Sequence, residues 1–126
     1  MRFAKILFAV VFLFFILADP VNADTLGQSQ HFFISSQYDA QSRTAVNATL
    51  RHISDRAYFY VENNYWDGLG STAKEERLGQ MADLGREFDT KIYPTETQFY
   101  GTEPNPGADN DPRIIILLAP LVQNAG

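Results

Sequence analysis

Two short runs, VNATLRHI (46–53) and AYFYVE (57–62), are separated by Ser54-Asp55-Arg56. Both are rich in β-branched and aromatic residues, and the polar tripeptide between them predicts an antiparallel hairpin. A period of two places Phe59 and Val61 on one face of the second strand and Tyr58, Tyr60 and Glu62 on the other, giving one buried and one amphipathic face. Upstream, QHFFIS (30–35) predicts a short strand and residues 38–44 a polar connector. Residues 63–70 read as a loop, after which the period changes. Leu78, Met81, Ala82, Gly85, Phe88 and Ile92 recur at helical spacing and predict a helix over 72–90. Thr72 with Glu75 forms a capping-box pattern, and Glu75, Glu76 and Lys91 suit the helix dipole. Gly79 and Gly85 each cost about 1 kcal/mol against Ala in a helix interior. They mark a close approach of another backbone, a kink or a shorter helix.

Pro94 ends the predicted helix, with one further turn over 95–100. Residues 101–112 hold three prolines and two glycines and read as an irregular loop. The run RIIILLA (113–119) then has five consecutive apolar residues, the pattern of a strand covered on both faces in the interior of a sheet. Residues 120–126 add no further element. The elements predict an α+β domain: an antiparallel hairpin and a buried C-terminal strand in a mixed sheet, with one long helix packed on it. Residues 24–45 supply a flexible start and the first short strand, and 46–126 the body. A doubly covered strand needs partners and two covering layers, and a domain of this size buries only about 65% of its unfolded surface. The expectation is that 46–126 is the N-terminal part of a longer domain.

Residues 1–23 explain the address. Arg2 and Lys5 precede the apolar run 6–18, which is followed by Asp19-Pro20 and the small-residue sequence Val21-Asn22-Ala23. That order is a secretory signal peptide, with cleavage expected after Ala23. Thirteen residues of helix reach about 20 Å, short of the roughly 30 Å hydrocarbon core, so no stable membrane span is expected after cleavage. The product is expected to be secreted or extracytoplasmic.

Charge removes one class of partner. Ten Lys/Arg stand against fifteen Asp/Glu, for a net charge of −5. The leader carries two of the bases and one of the acids, so the remainder has eight against fourteen. The basic residues are scattered along the chain, which argues against a nucleic-acid partner. The chain has no cysteine, hence no disulfide, thiolate metal site or cysteine nucleophile.

Chemistry-bearing patterns are sparse. His31 and His52 do not form a His-x-x-x-His or His-Glu-x-x-His spacing, no serine lies in a Gly-x-Ser-x-Gly turn, and no glycine-rich phosphate loop is present. Asp109, Asn110 and Asp111 bring hard oxygen ligands together in one turn and are candidate calcium ligands, although such residues commonly bond their own backbone. Arg113 is placed to pair with one of these carboxylates. Asn47-Ala48-Thr49 is a glycosylation sequon. Tyr58, Tyr60, Tyr65 and Trp66 cluster at the hairpin exit, either as cross-strand packing or as an aromatic platform for a carbohydrate or peptide.

The segments ATLRHISDRAYFYVEN (48–63), FDTKIYP (88–94) and FYGTEPNPGADNDPRIIILL (99–118) resemble the region before the active-site helix of secreted bacterial zinc metallopeptidases of the hyicolysin-like and immune-inhibitor-A-like groups. The resemblance covers most of residues 46–119. It implies a partial zincin-like domain, a parent protein that binds zinc and hydrolyses protein or peptide substrates, and a scaffold role for this chain. No His-Glu-x-x-His occurs within the 126 residues, so no catalytic residue carries over and the chain by itself is not expected to be catalytic. The alternative is a complete, non-catalytic exported binding module that uses the aromatic patch or the Asp-rich calcium loop.

Overall fold

A computed structural model describes residues 23–104 and 110–123. Four strands, β1 (Ser29–Phe33), β2 (Ala45–Ile53), β3 (Ala57–Glu62) and β4 (Ile114–Leu118), form one sheet in the order β1-β2-β3-β4. The first three are antiparallel neighbours and β4 runs parallel to β3. A parallel return requires a crossover, and the helical segments between β3 and β4 supply it. The fold is α+β with a mixed sheet, as the pattern of elements predicted.

The strand covered on both faces is β3, every residue of which is buried. Phe59 and Val61 pack with Trp66 and Met81 on the helical side. Tyr58 and Tyr60 pack with Ala48, Leu50 and Phe32 on the other. Only one face of β3 was expected to be buried. The tyrosine rings fill the second side while their hydroxyls find partners at its margin, which is how an aromatic with a polar tip is buried without penalty.

Conversely, β4 is not interior: it is the last strand of the described sheet, and Ile115 is 45% exposed. A continuous apolar run reports what a strand can bury but not which neighbours it has. Beyond β4, Leu121 forms a bridge with Asp39, Val122 N–H donates to the Tyr38 carbonyl at 2.9 Å, and Ala40 N–H donates to the Pro120 carbonyl at 3.2 Å. The connector after β1 therefore reaches across the sheet end and ties down residues 120–122.

The predicted loop after β3 contains a helix, α1 (Asn63–Asp67), whose cap is Glu62: its carboxylate accepts from the N–H groups of Asn64 at 3.1 Å and Tyr65 at 2.8 Å. Glu is not among the favoured capping residues, so the sequence carried no signal for it. Helix α2 (Ser71–Glu87) starts at Gly70 with no side-chain cap, so the predicted Thr72/Glu75 box does not form. The helical path does not stop at Pro94. A π-helical turn (Phe88–Ile92) leads directly into α3 (Tyr93–Tyr100), with Tyr93 N–H donating to the Phe88 carbonyl five residues back. The wide turn makes room for a ring that lacks an N–H, and Thr90 Oγ1 caps the Arg86 carbonyl at 2.7 Å.

Close approach occurs at one of the two helical glycines. A Cβ on Gly85 would stand 3.1 Å from His52 Nε2 and 3.1 Å from Ser54 Cβ, whereas one on Gly79 would meet nothing within 4 Å. The approaching groups are side chains of the hairpin end, not backbone.

Candidate functional site

The C-terminal ends of β3 and β4 lie beside the connector that follows β1, and this junction brings a charged network and an apolar groove together. Arg43, just before β2, sends Nε to Asp39 Oδ2 at 3.0 Å and Nη2 to Asp39 Oδ1 at 2.7 Å, a bidentate pair. Its Nη1 reaches Glu62 Oε1 at 3.1 Å. Asp39 and Glu62 are both buried. The backbone N–H groups of Gln41 and Arg43 each donate to Asp39 Oδ2 at 2.9 Å. The hydrogen bonds from Arg43 hold the Asp39 carboxyl well below the usual carboxylate range, against the opposing effect of burial. Asp39 in turn raises the Arg43 guanidinium. The bidentate pair and the Arg43–Glu62 contact fix the end of β3, the start of α1 and the connector in one arrangement.

Next to this network an apolar groove of about 620 Å³ runs between α2 and the end of β4. Met81 and Leu84 form one wall, Leu117 and Leu118 the other, and Ile34 and Tyr38 close the end. Asp39 lies at its charged margin. Arg77, which also lines the groove, donates from Nε to Tyr65 Oη at 2.9 Å and from Nη1 to Gln80 Oε1 at 2.6 Å. The Tyr65 bond raises the Arg77 guanidinium further.

The four aromatic candidates do not form one surface. Tyr58 and Tyr60 are 2% and 0% exposed on one side of β3; Tyr65 and Trp66 are on the other. Arg51 is the unpaired residue where the β2–β3 register shifts, and its guanidinium lies 4.7 Å from the Trp66 ring centroid, with the Lys74 ammonium at 5.8 Å. Trp66 is thus covered by cations. Tyr65 is the candidate that lines the groove.

Of the Asp-rich turn, Asp109 lies outside the described residues. Asn110 has φ 62°, and Asp111 is buried. Asp111 Oδ2 accepts from the Tyr58 hydroxyl, and Oδ1 from Arg113 N–H at 2.9 Å, with Arg113 Nη1 at 3.6 Å. Asp111 thereby joins the Tyr58 face of the sheet to the entry of β4, as the pairing with Arg113 anticipated. Burial first, then the Asp111 bond, pushes the Tyr58 hydroxyl up; burial and Asp24 do the same at Tyr60. Among the described residues no three His, Asp or Glu side chains are grouped to share a metal ion. His31 Nδ1 lies 3.0 Å from Asn47 Oδ1, and His52 packs on Phe59.

Sequence reasoning passed over Asp39, Arg43 and Glu62. The first two sat in a segment read as a polar connector, and the ion pair Arg43–Glu62 spans nineteen positions along the chain. The one available signal was an Asp and an Arg four residues apart. No protein-family model matches the chain, and no curated protein matches it.

Proposed function

We propose that this chain is the exported N-terminal scaffold of a zinc-metallopeptidase-like protein, without catalytic residues of its own. The observation that carries the reading is β4: five apolar residues at the last position of the described sheet, bordered by an apolar groove. Natural edge strands are blunted by charge, proline or bulges. Here Ile114–Leu118 has none of these, and the groove beside it is bounded by leucine side chains left exposed, Leu84 at 40%. Both features suit a sheet and a helical layer that continue in the parent protein. The leader pattern and the segment resemblance support the same assignment. In this reading zinc and its ligands belong to a later part of the parent, as does the protein or peptide substrate. The role of the chain is rigid support, supplied by the Asp39–Arg43–Glu62 network and by β3.

The test is the coding sequence beyond the codon for Gly126. A His-Glu-x-x-His on a helical pattern within about 150 further residues, a usual domain length, supports the proposal. A stop codon there overturns it.

The groove also favours a second reading, a complete exported binding module, because its volume falls within the roughly 300–1,000 Å³ of ligand pockets. In that case an apolar ligand occupies the groove, and of the aromatic candidates Tyr65 alone lines it. Calcium at the Asp-rich loop is tested by titration during thermal unfolding, since a ligand of the folded state raises its stability by mass action.

A further inference from the structure

Arg77 stands on the same face of α2 as Met81 and Leu84, one and two turns on, so a single helical stripe brings a guanidinium into the lining of the apolar groove. Its hydrogen-bond partners are neutral: Tyr65 Oη takes the Nε–H at 2.9 Å and Gln80 Oε1 an Nη1–H at 2.6 Å. The ion pairs among the described residues join Arg43, Arg86, Lys91 and Arg113 to carboxylates, and Arg77 is in none of them. A guanidinium carries five N–H donors. Those not used here sit on the two terminal nitrogens, which can grip a carboxylate through two parallel bonds. Tyr65, also of the lining, accepts from Arg77 and keeps its own hydroxyl hydrogen, which no acceptor of a described residue takes.

The other charged residue of the lining, Asp39, does not compete for Arg77. Both its oxygens are held by the Arg43 guanidinium, and Oδ2 also by the N–H groups of Gln41 and Arg43. The lining thus offers one guanidinium with donors to spare, among apolar side chains that water still reaches: Leu84 is 40% and Leu121 68% exposed. An apolar trough with one cationic clamp is complementary to an apolar tail that ends in one negative charge. A small polar anion would leave the leucines wet, and an uncharged hydrocarbon would leave the guanidinium donors to water.

We propose that the groove binds a single-chain fatty carboxylate, with its tail between α2 and the end of β4 and its carboxylate on Arg77 and the Tyr65 hydroxyl. The proposal rests on the groove being a ligand site, as in the binding-module reading, and adds the class of ligand and the two residues that select it. The tail supplies the affinity by removing apolar surface from water, and the head supplies the selection, because a two-pronged arginine contact discriminates by charge and by geometry.

The protein is expressed from its full coding sequence, freed of co-purified lipid on a hydrophobic resin, and titrated calorimetrically at neutral pH. Three ligands share one tail: decanoate, decan-1-ol and decylammonium, each kept below its solubility and micelle limits. The expected order of affinity is carboxylate, alcohol, ammonium, with decanoate about tenfold tighter than decan-1-ol. In Arg77→Gln that preference is expected to fall to within about twofold, while the affinity for decan-1-ol stays unchanged. Arg77→Lys is expected to keep part of it, since the charge remains and the fork is lost. An Arg77→Gln variant that weakens all three ligands alike overturns the proposal, because a residue that only shapes the groove has no preference among heads. Equal binding of decanoate and decan-1-ol by the unsubstituted protein overturns the carboxylate assignment and leaves the groove a ligand site. Binding of none of the three overturns the assignment and the ligand-site reading together. Tighter binding of acetyl-trileucine than of decanoate assigns the groove to a peptide C-terminus and overturns the fatty ligand. Should Arg77→Gln fail to fold, the order of the three ligands on the unsubstituted protein decides the matter.

Discussion

Asp89, on the π-helical turn, accepts a hydrogen bond from the backbone N–H of Arg56 at 3.0 Å, in the turn between β2 and β3. The same carboxylate accepts from Asp55 N–H at 2.9 Å and from Ser54 Oγ at 2.9 Å. One side chain thereby satisfies three donors of a hairpin turn more than thirty residues away and locks the helical layer to the sheet. Asp89 is the second residue of the π turn, and from there its carboxylate reaches the hairpin turn.

Asp89→Ala leaves two backbone N–H groups and one hydroxyl without this acceptor. It is expected to cost about 2 kcal/mol, read as a lower urea midpoint, with Asp89→Asn falling between because one carbonyl oxygen remains. A variant as stable as the parent would show that water replaces the carboxylate at no cost.

The two helical glycines are expected to respond in opposite directions. Gly79→Ala meets open space on an exposed helix interior and should stabilise by about 0.5–1 kcal/mol. At Gly85 the new methyl presses on Ser54, which Asp89 holds in place, and Gly85→Ala should destabilise by about 1 kcal/mol. Thermal melts of the two variants side by side check the sign of each.

Acid stability is expected to depend on Arg43. The Asp39 carboxyl is depressed in the folded protein, so its contribution is complete above the unfolded value of about 3.9 and is lost as pH falls below it. The melting temperature of the unsubstituted protein should drop steeply below about pH 4. Arg43→Lys keeps the charge but loses the two-pronged geometry, and should melt lower at neutral pH with a shallower acid decline. Parallel curves for the two proteins would count against the bidentate pair as the source of the slope.

The open edge predicts self-association. Ile115→Lys adds charge at an exposed position of β4, and should reduce concentration-dependent association in sedimentation while changing stability by no more than about 0.5 kcal/mol. Unchanged sedimentation would indicate that the edge is not the adhesive surface.

The local pattern of the chain determined much of the architecture. The β2–β3 hairpin, the existence of β1 and β4, and the main helix followed from periodicities of two and of 3.6, because these depend on each residue's own neighbours. The apolar alternation of AYFYVE and the stripe through Met81, Gly85 and Phe88 are facts of sequence, and the fold uses both. The Arg113 pairing was also legible, since its partner Asp111 is only two residues away.

Tertiary structure alone decided what depends on residues distant along the chain. Which strand is central was settled by neighbours: Tyr58 and Tyr60 are buried because Asp24 and Asp111 receive their hydroxyls, while the more apolar Ile114–Leu118 is left at the side. Pro94 does not end the helical path, because a π turn absorbs the missing donor. Glu62 caps α1 although Glu has little intrinsic capping preference, because Arg43 holds its carboxylate in place. Asp39, Arg43 and Glu62 carry no joint signature in the sequence, since a charge network is defined by distances through space and by the burial that strengthens each bond in it.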